Sequence, residues 1–188
     1  MCVAAVADTG AQTNTWRQCV TDTTHAAVDA CSAIIFLDPG NDGALVNRGI
    51  AYRRAGDIDR AIRDYDAAIV LNPRASDAFN NRGNAYRDLG RLDRALSDYD
   101  AALRLDPQYA HAYNNRGIIF LERGESARAL IDFDHAIQLD VSYANAYRNR
   151  ALAYLDLGEL ELALSNFTEA ARFGHPTARA DLEDVLSR

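Results

Sequence analysis

The sequence predicts an all-α protein built as a stack of helical hairpins, and three features predict it. The chain matches itself at a shift of 34 residues, unbroken, in frames beginning at Asp42, Ser76, Ala110 and Ala144. Within each frame large apolar residues recur at helical spacing and are interrupted once, by the glycine of the fifteenth place: Gly56, Gly90, Gly124 and Gly158. Glycine there permits the left-handed residue that ends one helix before the next begins. Pro73 and Pro107 stand at the thirty-second place, where a ring that cannot continue a helix starts the link to the following frame. Val141 and His175 depart from this pattern, although Pro176 follows at once.

Taken in order, Met1 to Ala7 reads MCVAAVA, a short apolar piece ending in a small-x-small pattern but without the basic region and full apolar core of an export signal. It is read as the tail of a clipped or mis-started leader, and residues 1–14, which lack periodicity, as an unstructured segment. Residues 15–41 form a worn repeat or cap. His25 to Leu37, followed by Pro39, fits a second helix with Ala27 and Cys31 at the twentieth and twenty-fourth places, while its first helix is poorly marked. Four regular repeats occupy 42–75, 76–109, 110–143 and 144–175. Residues 176–188 begin with proline and carry Leu182, Val185 and Leu186 at one-face spacing, as a closing helix does.

The repeat has a consistent interior. Small residues fill the eighth place (Gly49, Gly83, Gly117, Ala151) and the twentieth (Ala61, Ala95, Ala129, Ala163). Aromatic rings dominate the eleventh (Tyr52, Tyr86, Phe120, Tyr154) and the twenty-fourth (Tyr65, Tyr99, Phe133, Phe167). Small residues let helix backbones approach, and rings fill the space around that contact. One such hairpin buries too little surface to offset its ordering entropy, so stability must come from stacking. From Asp42 to about His175 this pattern resembles the tetratricopeptide repeat. The resemblance implies a right-handed superhelical solenoid with a concave groove, a protein or peptide ligand, and a groove lined by first-helix places two, five, six, nine, twelve and thirteen.

Carried onto this chain, those places name a candidate peptide-binding surface. The sixth is asparagine in every repeat: Asn47, Asn81, Asn115 and Asn149. A carboxamide both donates and accepts, so one per repeat can grip the main chain of an extended peptide. With helices ~10 Å apart and a strand rising ~3.3 Å per residue, the row would read about ten residues. The other reading is that these amides bond to the neighbouring repeat. Asn80, Asn84 and Asn114 extend the polar lining, Arg53, Arg87 and Arg148 supply positive charge, and Ile50, Ile118, Leu121, Leu152 and Leu155 supply apolar pockets. Arg54 lies toward one end, and Glu122 and Asp156 toward the other, which gives a docking ligand a direction or else is a solvated face. The carboxylate clamp of the chaperone-binding subfamily is not expected, since Val46 and Ile50 stand where it would begin and the chain has no lysine.

The seventh place is arginine throughout (Arg48, Arg82, Arg116, Arg150), and the twenty-third is Asp64, Asp98, Asp132 and then Asn166. This reads as a structural ladder between the two helices of a hairpin, broken in the fourth repeat, with Asp66, Asp100 and Asp134 as rival acceptors. Cys19 and Cys31 are either a disulfide or two reduced packing residues. Their places, twelve and twenty-four, do not face each other in the repeat, so a bridge requires Cys19 to lie in irregular chain.

Composition narrows the function. A formal charge of −7 and a pI near 5.0 work against a nucleic-acid partner. No apolar run approaches the ~20 residues of a membrane-spanning helix, so no membrane insertion is expected. The histidines (His25, His111, His135, His175) have no metal spacing, and no serine elbow, phosphate loop or dinucleotide fingerprint occurs. No cofactor and no catalysis are expected. The sequence therefore reads as a binding scaffold, periplasmic or exported if the leader reading holds and cytoplasmic otherwise, with homo-oligomeric self-association as the second reading.

Overall fold

The computed structural model describes residues 9–21 and 25–187, with side chains from residue 13 onward. The leader-like stretch Met1–Ala7 lies outside the described residues. Eleven α-helices and no strand are found among the described residues: α1 (Thr9–Thr21), α2 (His25–Leu37), α3 (Asp42–Arg54), α4 (Ile58–Leu71), α5 (Ser76–Asp88), α6 (Leu92–Leu105), α7 (Ala110–Glu122), α8 (Ser126–Leu139), α9 (Ala144–Asp156), α10 (Leu160–Arg172) and α11 (Ala178–Leu186). α3, α5, α7 and α9 begin at the first residue of each 34-residue frame. The starts of α3 and α4 are capped by side chains: Asn41 accepts from the Ala44 amide (2.9 Å) and Asp57 from the Arg60 amide (3.1 Å). The fifteenth-place glycines end the first helices with positive φ, 82° at Gly56 and 79° at Gly158.

The chain divides into two compact units, Met1–Arg91 with α1 to α5 and Leu92–Arg188 with α6 to α11. In the first, each helix packs on the next, and first helices also touch across the helix between them, α1 with α3 and α3 with α5. Its core gathers Leu45, Val46, Ala61, Tyr65, Ala68, Ala75, Ala78 and Ala85. In the second unit the same scheme runs from α6 to α11, with α7 against α9, and the core centres on Phe120, Phe133 and Phe167.

The eighth-place glycine is explained by a ring rather than by a backbone. A Cβ on Gly49 would sit 2.5 Å from Tyr65 Cε1, and one on Gly117 would sit 2.7 Å from Phe133 Cε1. The twenty-fourth-place ring thus lies in a notch on the first helix, and that contact sets the hairpin.

Three expectations are corrected. Residues 9–14, read as unstructured, are the first half of α1, whose Trp16 reaches α3: a Cβ on Gly43 would lie 3.6 Å from Trp16 Cη2. Cys19 is helical, not irregular. Buried Ala27 and Ala30 let α1 approach α2 until the Cys19 and Cys31 Cα atoms are 4.8 Å apart, with the two sulfurs in contact and both residues buried. At the other end Leu182 and Val185 pack beside Phe167, but Leu186, the last residue of α11, is exposed, because no further element follows over it among the described residues.

Candidate peptide-binding surface

The four sixth-place asparagines all sit half-buried on first helices. Asn47 makes no side-chain hydrogen bond among the described residues. Asn81 donates from Nδ2 to the Asp77 carbonyl of its own helix (2.9 Å). Asn149 donates from Nδ2 to Asn114 Oδ1, one repeat back (2.9 Å). The row is therefore uneven: Asn47 keeps a whole amide, whereas Asn81 and Asn149 keep an acceptor oxygen.

Several residues expected on this surface are committed elsewhere. Asn80 and Asn114 are 4% and 3% exposed, so neither lines an open face. The fifth place is a contact position rather than a lining position, as buried Val46 and the Asn114–Asn149 bond indicate. Arg148, at the same place in the last repeat, turns to the closing helix and grips Asp181, Nε to Oδ2 at 2.7 Å and Nη2 to Oδ1 at 3.3 Å. That bond, joined by Thr177 Oγ1 (3.1 Å), holds the Asp181 carboxyl below its ordinary range. Arg53 is spent on Asp88, Nε to Oδ2 at 2.6 Å and Nη2 to Oδ1 at 3.3 Å, which ties α3 to α5. Arg87 and Asn84 are half-buried, and the enclosed Arg87 Nη1 atom has no hydrogen-bond partner among the described residues.

The apolar residues read as pockets are half-buried and lean on the cores: Ile50 on the Tyr65 cluster, Ile118 and Leu121 on the Phe133 cluster, Leu152 and Leu155 on the Phe167 cluster. Of the acidic pair, Asp156 accepts from buried Ser126, and Glu122 is exposed.

The arginine ladder is fuller than the sequence suggested. Arg48 donates from Nε and Nη2 to both Asp64 oxygens at 2.8 Å. Arg116 does the same to Asp132, at 2.8 and 2.7 Å, while its Nη1 donates to Asp100 on the preceding second helix (2.7 Å). These bonds, Asp132 first, raise the Arg116 pKa despite its burial. Arg82 reaches back to Asp66 (2.6 Å) and Arg150 to Asp134 (2.6 Å). The expected break in the fourth repeat does not occur, because Asn166 Oδ1 accepts from Arg150 Nε (2.7 Å) as a carboxylate would. The supposed rivals are second acceptors, so each arginine bridges its own hairpin or the preceding one, or both. Arg48, at the start of the series, reaches Ser32 Oγ of α2 (3.1 Å).

Two partnerships escaped the sequence reading. Asp88 lies 35 residues after Arg53, one period plus one, a signal that the repeat alignment contains but does not display. Asp181 belongs to no repeat. Two of the histidines bond to protein groups, His111 Nδ1 to Tyr143 Oη (2.8 Å) and His135 Nδ1 to the Ile131 carbonyl (2.8 Å). Among the described residues no group of three metal-capable side chains is assembled, and no helix is long and apolar enough to cross a membrane.

Comparison with known proteins places this geometry. A thermophilic tetratricopeptide repeat protein from Thermus thermophilus superposes with a TM-score of 0.81 at 22% identity, covering 94% of this chain and 100% of that one. A crystal structure of MamA gives a TM-score of 0.68 at 24% identity over 82% of this chain and 91% of that one. MamA from Desulfovibrio magneticus RS-1, from residue 41 to its end, gives 0.70 at 18% identity over 87% and 91%. At these identities the likeness concerns the fold. Among curated proteins, none matches the chain in sequence. The family profile described as tetratricopeptide repeat matches residues 46–110 and 80–140, about half of the chain, and the protein belongs to the tetratricopeptide repeat family.

Proposed function

We propose that this protein is a non-catalytic scaffold that holds a segment of another polypeptide, in extended form, along its first-helix surfaces. Membership of a repeat family built for protein–protein interaction supports the general reading. The finer reading is carried by one observation: a half-buried amide at the same place of all four first helices, with Asn47 unengaged and with the oxygens of Asn81 and Asn149 accepting no bond among the described residues. Such oxygens suit the main-chain N–H groups of a strand, whatever its side chains.

The test is selection from a random decapeptide library, followed by titration of the enriched peptides against wild type and an Asn47→Ala plus Asn81→Ala variant. The variant should melt like wild type and bind at least about tenfold more weakly, a difference of about 1.4 kcal/mol. Equal affinities would remove the amide row, and failure of wild type to enrich any peptide would remove peptide binding on this surface.

The proposal includes an oxidising compartment, periplasmic or extracellular, in which Cys19 and Cys31 are bridged. Their burial and 4.8 Å Cα separation support it. Alkylation of both cysteines on unfolding without reductant would end this part. Self-association is the second reading, favoured by apolar side chains left exposed on α2 and α4.

A further inference from the structure

The second helices of the first unit end in side chains that water should have driven inward. Phe36 and Leu37 on α2 are 85% and 73% exposed, and Val70 on α4 is 80% exposed, with Leu71 beside it. Phe36 and Val70 hold the twenty-ninth place of consecutive frames. The repeat does not require an apolar residue there, because the later frames carry Arg104, Gln138 and Arg172. Exposed apolar side chains at one place of consecutive second helices mark a contact surface.

What covers it is indicated by charge. Seven residues before Phe36, on the same stripe of α2, stands Asp29; seven before Val70, on the same stripe of α4, stands Arg63. Both are exposed, and neither has an ion-pair or hydrogen-bond partner among the described residues. Ala33 and Ala67 lie between, small enough for close approach. α2 and α4 both pack on α3, so they run parallel one repeat apart. Two neighbouring stripes thus read acid, alanine, phenylalanine and base, alanine, valine in the same register.

Surfaces of this kind are complementary to themselves. A twofold axis parallel to the helices sets α2 of one molecule against α4 of another, in register, so that opposite charges meet and the apolar ends meet, each contact occurring twice. We propose that the α2 and α4 stripes are a homodimer interface, with Asp29 against Arg63 of the second copy and Phe36 against Val70 of the second copy. The proposal rests on the self-association reading and leaves the asparagine row free. An unrelated partner has no need of opposite charges at one register, whereas a second copy does.

Sedimentation velocity over a concentration series tests it. Wild type should reach a dimer below about 100 μM. Phe36→Ser with Val70→Ser should be monomeric throughout and melt like wild type, both residues being exposed. Asp29→Arg should weaken the dimer about tenfold or more, because like charges then meet at both symmetry-related contacts. Adding Arg63→Asp to that variant should restore the wild-type dimer. A wild type that stays monomeric in this range, a dimer that survives the two serines, or a double reversal without rescue would each overturn the interface. An unrelated amphipathic helix, or residues 1–8 of the same chain, would give one of those results. Peptide titration of the monomeric variant separates the two readings, since loss of the dimer with peptide affinity unchanged leaves the amide row standing.

Discussion

The N-terminal hairpin α1–α2 and the third-repeat hairpin α7–α8 occupy equivalent positions in the 34-residue period and are held by different chemistry. In α7–α8 the Phe133 ring fills the notch at Gly117, and Arg116 clasps buried Asp132 while reaching Asp100. At the same places α1–α2 has Cys31 for the ring, Thr15 for the glycine, Asn14 for the arginine and Ala30 for the aspartate. The ring, its notch and the charged clasp are all missing, and what remains is the small twentieth-place residue, Ala27, and a close approach of two helices with two sulfurs in contact. The difference teaches that the period fixes where helices start and stop, whereas the grip between them can be exchanged. Packing with a charged clasp serves the interior, and at the end two buried cysteines stand where the helices meet.

Removing the ring should break the regular hairpin most severely. Phe133 is fully buried, so Phe133→Ala should cost about 3–5 kcal/mol, read as a lower urea midpoint of the unit Leu92–Arg188. A cost below about 1 kcal/mol would mean that the notch is not what sets α7 on α8. Next comes the sulfur contact. If Cys19 and Cys31 are bridged as proposed, reduction, or Cys31→Ser, should cost the N-terminal hairpin about 3 kcal/mol. Trp16, the single tryptophan, should report it by a red-shifted, more quenchable emission, with the main melting transition in place. Emission unchanged by reduction would show that α1 needs no clasp.

Arg116→Leu sharpens the comparison from the other side. It strands the Asp132 carboxylate in a site where that side chain is 3% exposed, and should cost about 2 kcal/mol, discounted for the partial exposure of the arginine. Asp132→Leu added to it should recover part of that loss. Peptide affinity should not change in either variant, and a loss of affinity at unchanged stability would move this arginine from the ladder to the ligand. The smallest effect is expected at Tyr65, which fills in the first unit the place of Phe133. Among the described residues its buried hydroxyl has no hydrogen-bond partner, and burial raises its pKa. Tyr65→Phe should therefore stabilise by about 1 kcal/mol, and a destabilised variant would show that the hydroxyl is engaged.

Much of the fold was legible because it is written in strictly local terms. Gly56 and its equivalents, the apolar spacing and Pro73 and Pro107 act within one turn of chain, so the first residues of α3, α5, α7 and α9 could be read directly. The candidate surface was legible only in part. The identity of Asn47, Asn81, Asn115 and Asn149 is a sequence fact, but their remaining hydrogen-bonding capacity depends on neighbours. Asn114 takes the Asn149 donor, Asp88 takes Arg53, and Asp181 of α11 takes Arg148.

The sequence by itself determined the period, the glycines at which the first helices turn and the chemical identity of each recurring place, because backbone geometry and turn chemistry depend on adjacent residues. Only the tertiary structure decided which of those places face a neighbouring helix and which face water. Side-chain commitment is settled by a few ångströms between elements that lie 12 to 35 residues apart in the chain, as between Cys19 and Cys31 or between Arg53 and Asp88, and no local pattern encodes that distance.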